Sequence, residues 1–289
     1  MTEEELAREF AEHRQVLVGA AYRVVGSVSD AEDVVQEAWL RWSAIDRQAI
    51  GEIRDPRAYL IRITTRLALN KLREQKARRE QYVGPWLPEP LATDDDPAAA
   101  VELADSVSMA MLVVLETLSP LERATFVLRE VFDLPYDEIA DTLGRSEAAV
   151  RQLAHRARSH VHARQPRHAV DKARHDELTM RFMQAAGSGD FDQVVALLAP
   201  EAVLISDGGG KKRAALRPIH GAEKIARWLF AVLADNPGFE IRMASLNDEL
   251  AFVAYYDDEP DTVTFMKTSD GQITELYLIR NPDKLGQVH

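Results

Sequence analysis

The 289-residue chain contains no cysteine. Disulfides and thiolate metal sites are thereby excluded, and a reducing compartment fits. No apolar run approaches the ~20 residues that a helix needs to cross a bilayer, so no membrane contact is expected. The first residues, Met1-Thr-Glu-Glu-Glu-Leu6, lack the basic and apolar regions of a secretory leader, and a cytoplasmic location is expected. Basic side chains are missing from residues 81–122, which carry 8 acidic ones. The net charge of −12 argues, taken alone, against nucleic acid as a partner. Hydrophobic content of 46% is ample for two or three ordinary cores.

The charge is segregated. Residues 54–80 hold 9 basic and 3 acidic side chains, net +6, and residues 143–174 hold 8 and 2, also net +6. A phosphate responds to charge within a Debye length of about 8–10 Å, so these blocks matter more than the total.

The second basic block overlaps a helix-turn-helix pattern. Ser119-Pro-Leu-Glu122 is a capping box with proline at the first helical position. Pro135 precedes a short helix, Tyr136 to Leu143, and Gly144 can take positive φ in the tight turn that follows. Ser146 caps a third helix whose first turns carry Ser146, Glu147, Val150, Arg151 and His155. The start of such a helix reaches base edges in a DNA groove. Arg145, Arg151 and Arg156 are suited to phosphates or guanine.

Residues 5–80 also read as helices. Ser29-Asp-Ala-Glu32 reads as a capping box opening a helix to Trp42, with Val35, Ala38, Trp39 and Trp42 on one stripe. Asp33, Gln36, Glu37 and Arg41 lie largely on the other face. Asp55-Pro-Arg57 begins a long helix that carries Arg62, Arg66, Asn70, Lys71 and Arg73, side chains suited to a DNA backbone and exposed bases.

The order of these blocks resembles a bacterial RNA polymerase sigma factor of the extracytoplasmic-function group. The resemblance rests on Asp30-Ala-Glu-Asp-Val-Val-Gln-Glu-Ala-Trp39, on Asp55-Pro-Arg-Ala-Tyr-Leu through Asn70-Lys-Leu72, and on Leu118-Ser-Pro with the helix-turn-helix. It spans roughly residues 5–165. It implies two helical promoter-binding modules, σ2 over residues 1–80 and σ4 over 118–166, held apart by an acidic linker over 81–117. It further implies that Asp30, Asp33, Gln36, Glu37 and Trp39 dock on the β′ clamp of core RNA polymerase, with the β flap as a second contact. Arg62, Arg66, Asn70, Lys71 and Arg73 would face the −10 element, and the loop 43–54 would capture a flipped base. Arg145, Ser146, Glu147, Arg151 and Arg156 would read the −35 element. In that scheme the polymerase is the catalyst. This chain is not an enzyme and needs no cofactor, catalytic residue or metal.

Residues 172–289 are an addition to that plan. Helical patterns over 174–186, 191–198 and 223–233 accompany alternating strands over 202–206, 240–246, 250–256, 262–267 and 273–279. Asn247-Asp-Glu and Asp270-Gly271 mark hairpin turns. Helices followed by a mainly antiparallel meander indicate an α+β fold. The segment from Ala185 to Val203 resembles the start of an NTF2-like, SnoaL-type cone domain. Sigma factors with such an extension form a subgroup, and three motifs match it: Trp86-Leu-Pro88 with Glu89-Pro90, Asp207-Gly208-Gly209-Gly210-Lys211, and Asn281-Pro282-Asp283-Lys284. The resemblance implies regulation in cis by this domain, with these motifs at the interdomain contact. Asp207, in its glycine-rich run, reads as part of a mobile docking or hinge loop. Asp207, His220 and Asp257 are the possible occupants of a catalytic pocket. The alternative function is a DNA-binding protein whose NTF2-like domain senses or transforms a small molecule.

Overall fold

The computed structural model describes residues 2–46, 50–79, 81–92, 108–164 and 171–288. Three long helices come first: α1 (Glu3–Val25), α2 (Val28–Ser43) and α3 (Pro56–Arg79). Thr2 and Glu5 form a reciprocal capping box on α1, and Gly26 ends it at φ 73°. The cap of α2 is Ser27, whose hydroxyl accepts from Asp30 N–H, so the capping box expected at Ser29 is corrected. Ser27 precedes the helix, whereas Ser29 already lies in its first turn. The two-residue earlier start lets Val28 bury its side chain. The Asp55 carboxylate accepts from Ala58 N–H at 2.9 Å and opens α3. Trp42, fully buried, donates its indole N–H to Leu6 O at 3.1 Å and fastens α2 to the start of α1.

Among the described residues, four further helices follow: α4 (Met109–Glu116), α5 (Pro120–Phe126, continued by a π turn over Val127–Val131), α6 (Tyr136–Leu143) and α7 (Glu147–His162). The capping box Ser119/Glu122 forms as expected, Gly144 turns at φ 62°, and Ser146 accepts from Ala149 N–H at 3.3 Å. Residues 109–116, expected to belong to the linker, are helical instead. Val114, Leu115 and Leu118 pack on Ala157 and Val161 of α7, so this segment completes the helix-turn-helix core.

The chain divides into two compact units. The helical segments 1–80 and 111–165 belong to one unit, so the two modules expected to be held apart pack together. Arg123 shows why. Its guanidinium is 2% exposed and donates to Val24 O at 2.8 Å, at the carbonyl end of α1, and to Glu116 at 2.9 Å. A charge this buried persists because a carboxylate faces it: Glu116 lies 2.8 Å from Nη2.

The second unit contains residues 81–92, 108–110 and 171–288 among those described. Helices α8 (Lys172–Ser188), α9 (Phe191–Leu197) and α10 (Ala222–Asp235) accompany strands β1 (Leu198–Asp207), β2 (Ile219–His220), β3 (Glu240–Leu246), β4 (Glu249–Tyr256), β5 (Glu259–Ser269) and β6 (Gln272–Ile279). The sheet order is β2-β1-β6-β5-β4-β3, antiparallel except for the β1–β6 pair. The helices bury Phe182, Val194, Leu197 and Ile225 against Phe252, Met266, Leu276 and Leu278 on one sheet face. The expected α+β architecture is present. Two-residue turns with both φ values positive join the antiparallel strands at Asn247-Asp248, Asp257-Asp258 and Asp270-Gly271. The middle turn, Asp-Asp, carried no glycine to announce it.

Candidate DNA-reading surfaces and the linker clasp

On α7, Ser146, Glu147, Arg151 and Arg156 are exposed, as is Arg145 before it. Arg151 pairs with Glu147 one turn earlier and lies 4.5 Å from the ring centroid of Tyr136 on α6. The ring and the carboxylate together limit where the guanidinium can point. Arg156 reaches Glu122 at 3.0 Å and Arg158 reaches Glu130 at 2.6 Å.

The α3 candidates separate into two sets. Arg66, Asn70 and Arg73 are exposed, and Asn70 accepts from Arg73 at 3.5 Å. Arg62 is half-buried and engaged by Glu138 of α6 at 2.8 Å. Lys71 turns toward α2, 3.0 Å from Asp30 and 3.2 Å from Asp33. Its hydrogen bond to Asp30 raises its pKa above the ordinary lysine value despite partial burial.

On α2, Asp33, Gln36 and Glu37 are exposed, and Glu37 pairs with Arg41 at 2.7 Å. Asp30 is more enclosed, between Lys71 and Gln75. Trp39 is half-buried edge-on to Phe10, with ring centroids 5.2 Å apart. A groove of about 260 Å³ runs between this face and α3, lined by Asp33, Glu37, Arg41, Leu67, Asn70 and Lys71 among others. Of the loop 43–54, residues 47–49 lie outside the described residues.

The three motifs of the second unit meet at one carboxylate. Asp207 is the last residue of β1 and fully buried. One oxygen accepts from Tyr82 O–H at 2.5 Å and Gly209 N–H at 3.1 Å. The other accepts from Leu87 N–H at 2.8 Å and Lys284 Nζ at 2.7 Å. The expectation of a mobile loop at Asp207 is therefore corrected: strand pairing and four donors fix it. Lys284, 4% exposed, also donates to Leu87 O at 2.5 Å and sits 3.2 Å from the Trp86 ring centroid. The tryptophan face supplies electron density to a cation removed from water. Leu87, Pro88, Glu89 and Pro90 are all buried.

The glycines have a steric cause. A Cβ on Gly208 would fall 2.3 Å from Lys212 O, and one on Gly209 would fall 2.5 Å from the Asn281 amide, with φ at 61°. Gly210 turns at φ 73° against Val83. Asn281 donates to Tyr82 O–H at 2.9 Å and caps the single 3₁₀ turn Pro282–Lys284 through Asp283 N–H. Lys211 pairs with Asp283 at 2.7 Å.

Sequence reasoning missed Tyr82, Asp261 and Arg280. Desolvation, then the Asp207 carboxylate, pushes the Tyr82 phenol far above its ordinary pKa, so it stays a donor. Asp261 is buried beside Lys212 and Arg280, at 2.8 and 2.7 Å. Burial opposes its charge, but the two cations prevail and lower its pKa. The position of Tyr82 four residues before Trp86 was the one available signal. His220 is exposed on β2 and Asp257 is exposed at the β4–β5 turn, so the three proposed catalytic candidates occupy three different surroundings. A cavity of about 520 Å³ lies along α10, lined by Trp228, Ala231, Val232, Asp235, Arg213 and Arg280 among others.

A helix-turn-helix with a basic reading helix, joined to a three-helix module with an acidic outer face, is the architecture of a promoter-specificity factor. The family models agree. Sigma-70 region 2 matches residues 10–78, and Sigma-70, region 4 matches residues 108–161. The chain belongs to the extracytoplasmic-function RNA polymerase sigma factors. It is 42% identical over 290 residues to the ECF RNA polymerase sigma factor SigJ of Mycobacterium tuberculosis, covering 96% of this chain and 92% of that protein. The crystal structure of M. tuberculosis SigJ matches 97% of this chain and 98% of that one, with a TM-score of 0.78 and 38% identity. The probable ECF sigma factor SigI of the same organism is 41% identical over 191 residues, 65% of each chain.

Proposed function

We propose that this chain binds core RNA polymerase through the α2 face of Asp30, Asp33, Gln36, Glu37 and Trp39, with the β′ clamp and β flap as partners. It then directs initiation at promoters read at −35 by α7 and at −10 by α3. Its α+β domain regulates that activity in cis. The observation that supports regulation is the Asp207 cluster: a buried carboxylate at the end of β1 binds Tyr82 and Leu87 of the linker and Lys284 of the C-terminal turn. Such a cluster is strong when complete and costly when one member is lost, which suits a two-state hold on the linker.

Run-off transcription with purified core enzyme tests this reading. Full-length protein, a truncation lacking residues 175–289 and the Asp207→Ala variant are compared on a cognate promoter. The variants should differ from the full chain in transcript yield. Equal yields from all three would overturn cis-regulation, and failure to form a complex with core polymerase would overturn the sigma reading itself.

A second reading has its own observation. The cavity along α10 has the size of a small-molecule site, an apolar wall at Trp228 and Val232, and cations at Arg213 and Arg280. It supports a domain that answers to a small ligand. A thermal-shift screen of small organic acids tests it, with Arg280→Met as the control; no stabilisation by any of them removes that reading.

A further inference from the structure

Strand β3 is one edge of the six-stranded sheet, with β4 on its inner side. Among the described residues, its outer side is bridged only at Leu246, by Ala92 of the linker. Along Glu240–Ala244 alternate amide and carbonyl groups face outward, a template for another strand. The pairing with β4 runs from Glu240 opposite Tyr255 to Leu246 opposite Glu249, so Ile241 and Met243 share a face with Ala254 and Phe252. Phe252 belongs to the core beneath the helices, but that core stops short of the edge. Met243 is 59% exposed, Tyr256 52% and Ile241 40%. Phe239, two residues before Ile241, continues the apolar strip edge-on to Tyr256, with ring centroids 6.3 Å apart. The opposite face of β3 carries Glu240 and Arg242. These pair at 2.9 Å, Arg242 also meets Asp258 at 2.8 Å, and its guanidinium lies 4.4 Å from the Tyr255 ring centroid.

We propose that β3 is a self-association edge, pairing antiparallel with β3 of a second copy of this chain about a two-fold axis at Ile241. Such an axis stands perpendicular to the sheet and passes through a residue position, so the apolar strips of both copies fall on one face.

Charge and the linker select the register. An axis at Glu240 sets Glu240 opposite its own copy, and an axis at Arg242 sets Arg242 opposite its own copy; both oppose like charges. An axis at Met243 or Ala244 needs Leu246, which Ala92 already holds. An axis at Ile241 sets Glu240 opposite Arg242 on both sides, Ile241 against Ile241 and Met243 beside Phe239. It leaves the bridge at Leu246 intact. Charge of both signs ordinarily guards an edge against pairing; here it admits a single register. Every residue of this contact belongs to the α+β unit. One short strand from each copy makes a small contact, so the dimer is weak, with a Kd of about 0.1 mM.

Sedimentation equilibrium of the full-length protein tests it. The average mass should rise about 1.6-fold between roughly 5 μM and 0.5 mM. Glu240→Arg and Arg242→Glu each set like charges across the axis and should each lose the rise. An equimolar mixture of the two should regain it, because every such pair is again Arg against Glu. A mass independent of concentration in the native protein overturns the proposal and leaves the edge to a different occupant. A rise that both single variants retain also overturns it. The chain has no cysteine, so single cysteines read the register without charge changes. Mild oxidation should cross-link Ile241→Cys, which faces its own copy within disulfide range. It should not cross-link Met243→Cys, whose copy lies about 13 Å along the strand. Equal cross-linking at both positions, or at neither, overturns the pairing.

Discussion

The guanidinium of Arg62 on α3 donates to the carboxylate of Glu138 on α6 across 2.8 Å, joining residues 76 positions apart in the chain. A side chain assigned to the −10 element is thus occupied by the first helix of the helix-turn-helix. The pair is about one-third exposed on both sides, so it contributes little stability, under about 1 kcal/mol. Its effect lies in what Arg62 is free to touch. Glu138→Ala should leave the unfolding midpoint nearly unchanged and raise the affinity of the polymerase complex for single-stranded −10 DNA. Arg62→Ala should lower that affinity. Fluorescence anisotropy with labelled DNA distinguishes the two, and equal effects from both variants would remove Arg62 from the DNA surface.

Arg123 is a different kind of cation. It is buried, and it joins the carbonyl end of α1 to Glu116 on α4. Arg123→Ala leaves Glu116 and Val24 O without that donor, and should cost about 3–5 kcal/mol. A urea titration followed by tryptophan fluorescence should show the loss in the helical unit, which contains Trp39 and Trp42. A midpoint within error of the native one would show that the helical modules do not depend on this anchor.

Two glycines with nearly the same φ separate strain from crowding. At Gly144, φ 62°, a Cβ would meet nothing within 4 Å, so Gly144→Ala should cost only the left-handed backbone penalty of about 1–2 kcal/mol. At Gly209, φ 61°, the same Cβ would strike the Asn281 amide at 2.5 Å, and that amide is fixed by Tyr82 and Asp283. Gly209→Ala should therefore cost about 1–3 kcal/mol more than Gly144→Ala. Thermal melts of the two variants decide it; equal losses would show that the Asn281 cluster yields easily.

Acid should act on His175. Burial lowers its pKa below the ordinary 6.5, with Asp176 opposing, and Nδ1 lies 3.0 Å from Thr268 Oγ1. The folded state favours the neutral ring. The associated stability is complete above pH 6.5 and is lost as pH falls toward the lowered value. His175→Gln should remove this part of the acid sensitivity. Urea midpoints of the two proteins at pH 7.5 and pH 5.5 isolate it, because groups common to both cancel in the difference. Parallel shifts would assign the acid response elsewhere.

What the amino-acid order determined by itself is local. Ser119, Glu122, Gly144 and Ser146 specify the caps and the turn of the helix-turn-helix because each acts on backbone groups within three or four residues. Alternation in 240–279 specified the strands and, with Asn247 and Asp270-Gly271, two of the three hairpin turns. The basic faces of α3 and α7 were legible for the same reason, since helical spacing puts those side chains on one surface. The local signal failed where two serines competed to cap α2, and where an apolar segment at 109–116 had no turn signal to separate it from the linker. Only the tertiary structure decided that Arg62 meets Glu138, that Arg123 is buried, and that Asp207 is a fixed hub joined to Tyr82 across 125 residues. Those partners are charges and hydroxyls with many possible mates in the sequence. Which pair forms depends on which surfaces exclude water together, and that follows from burial of the cores on either side rather than from any residue's neighbours in the chain.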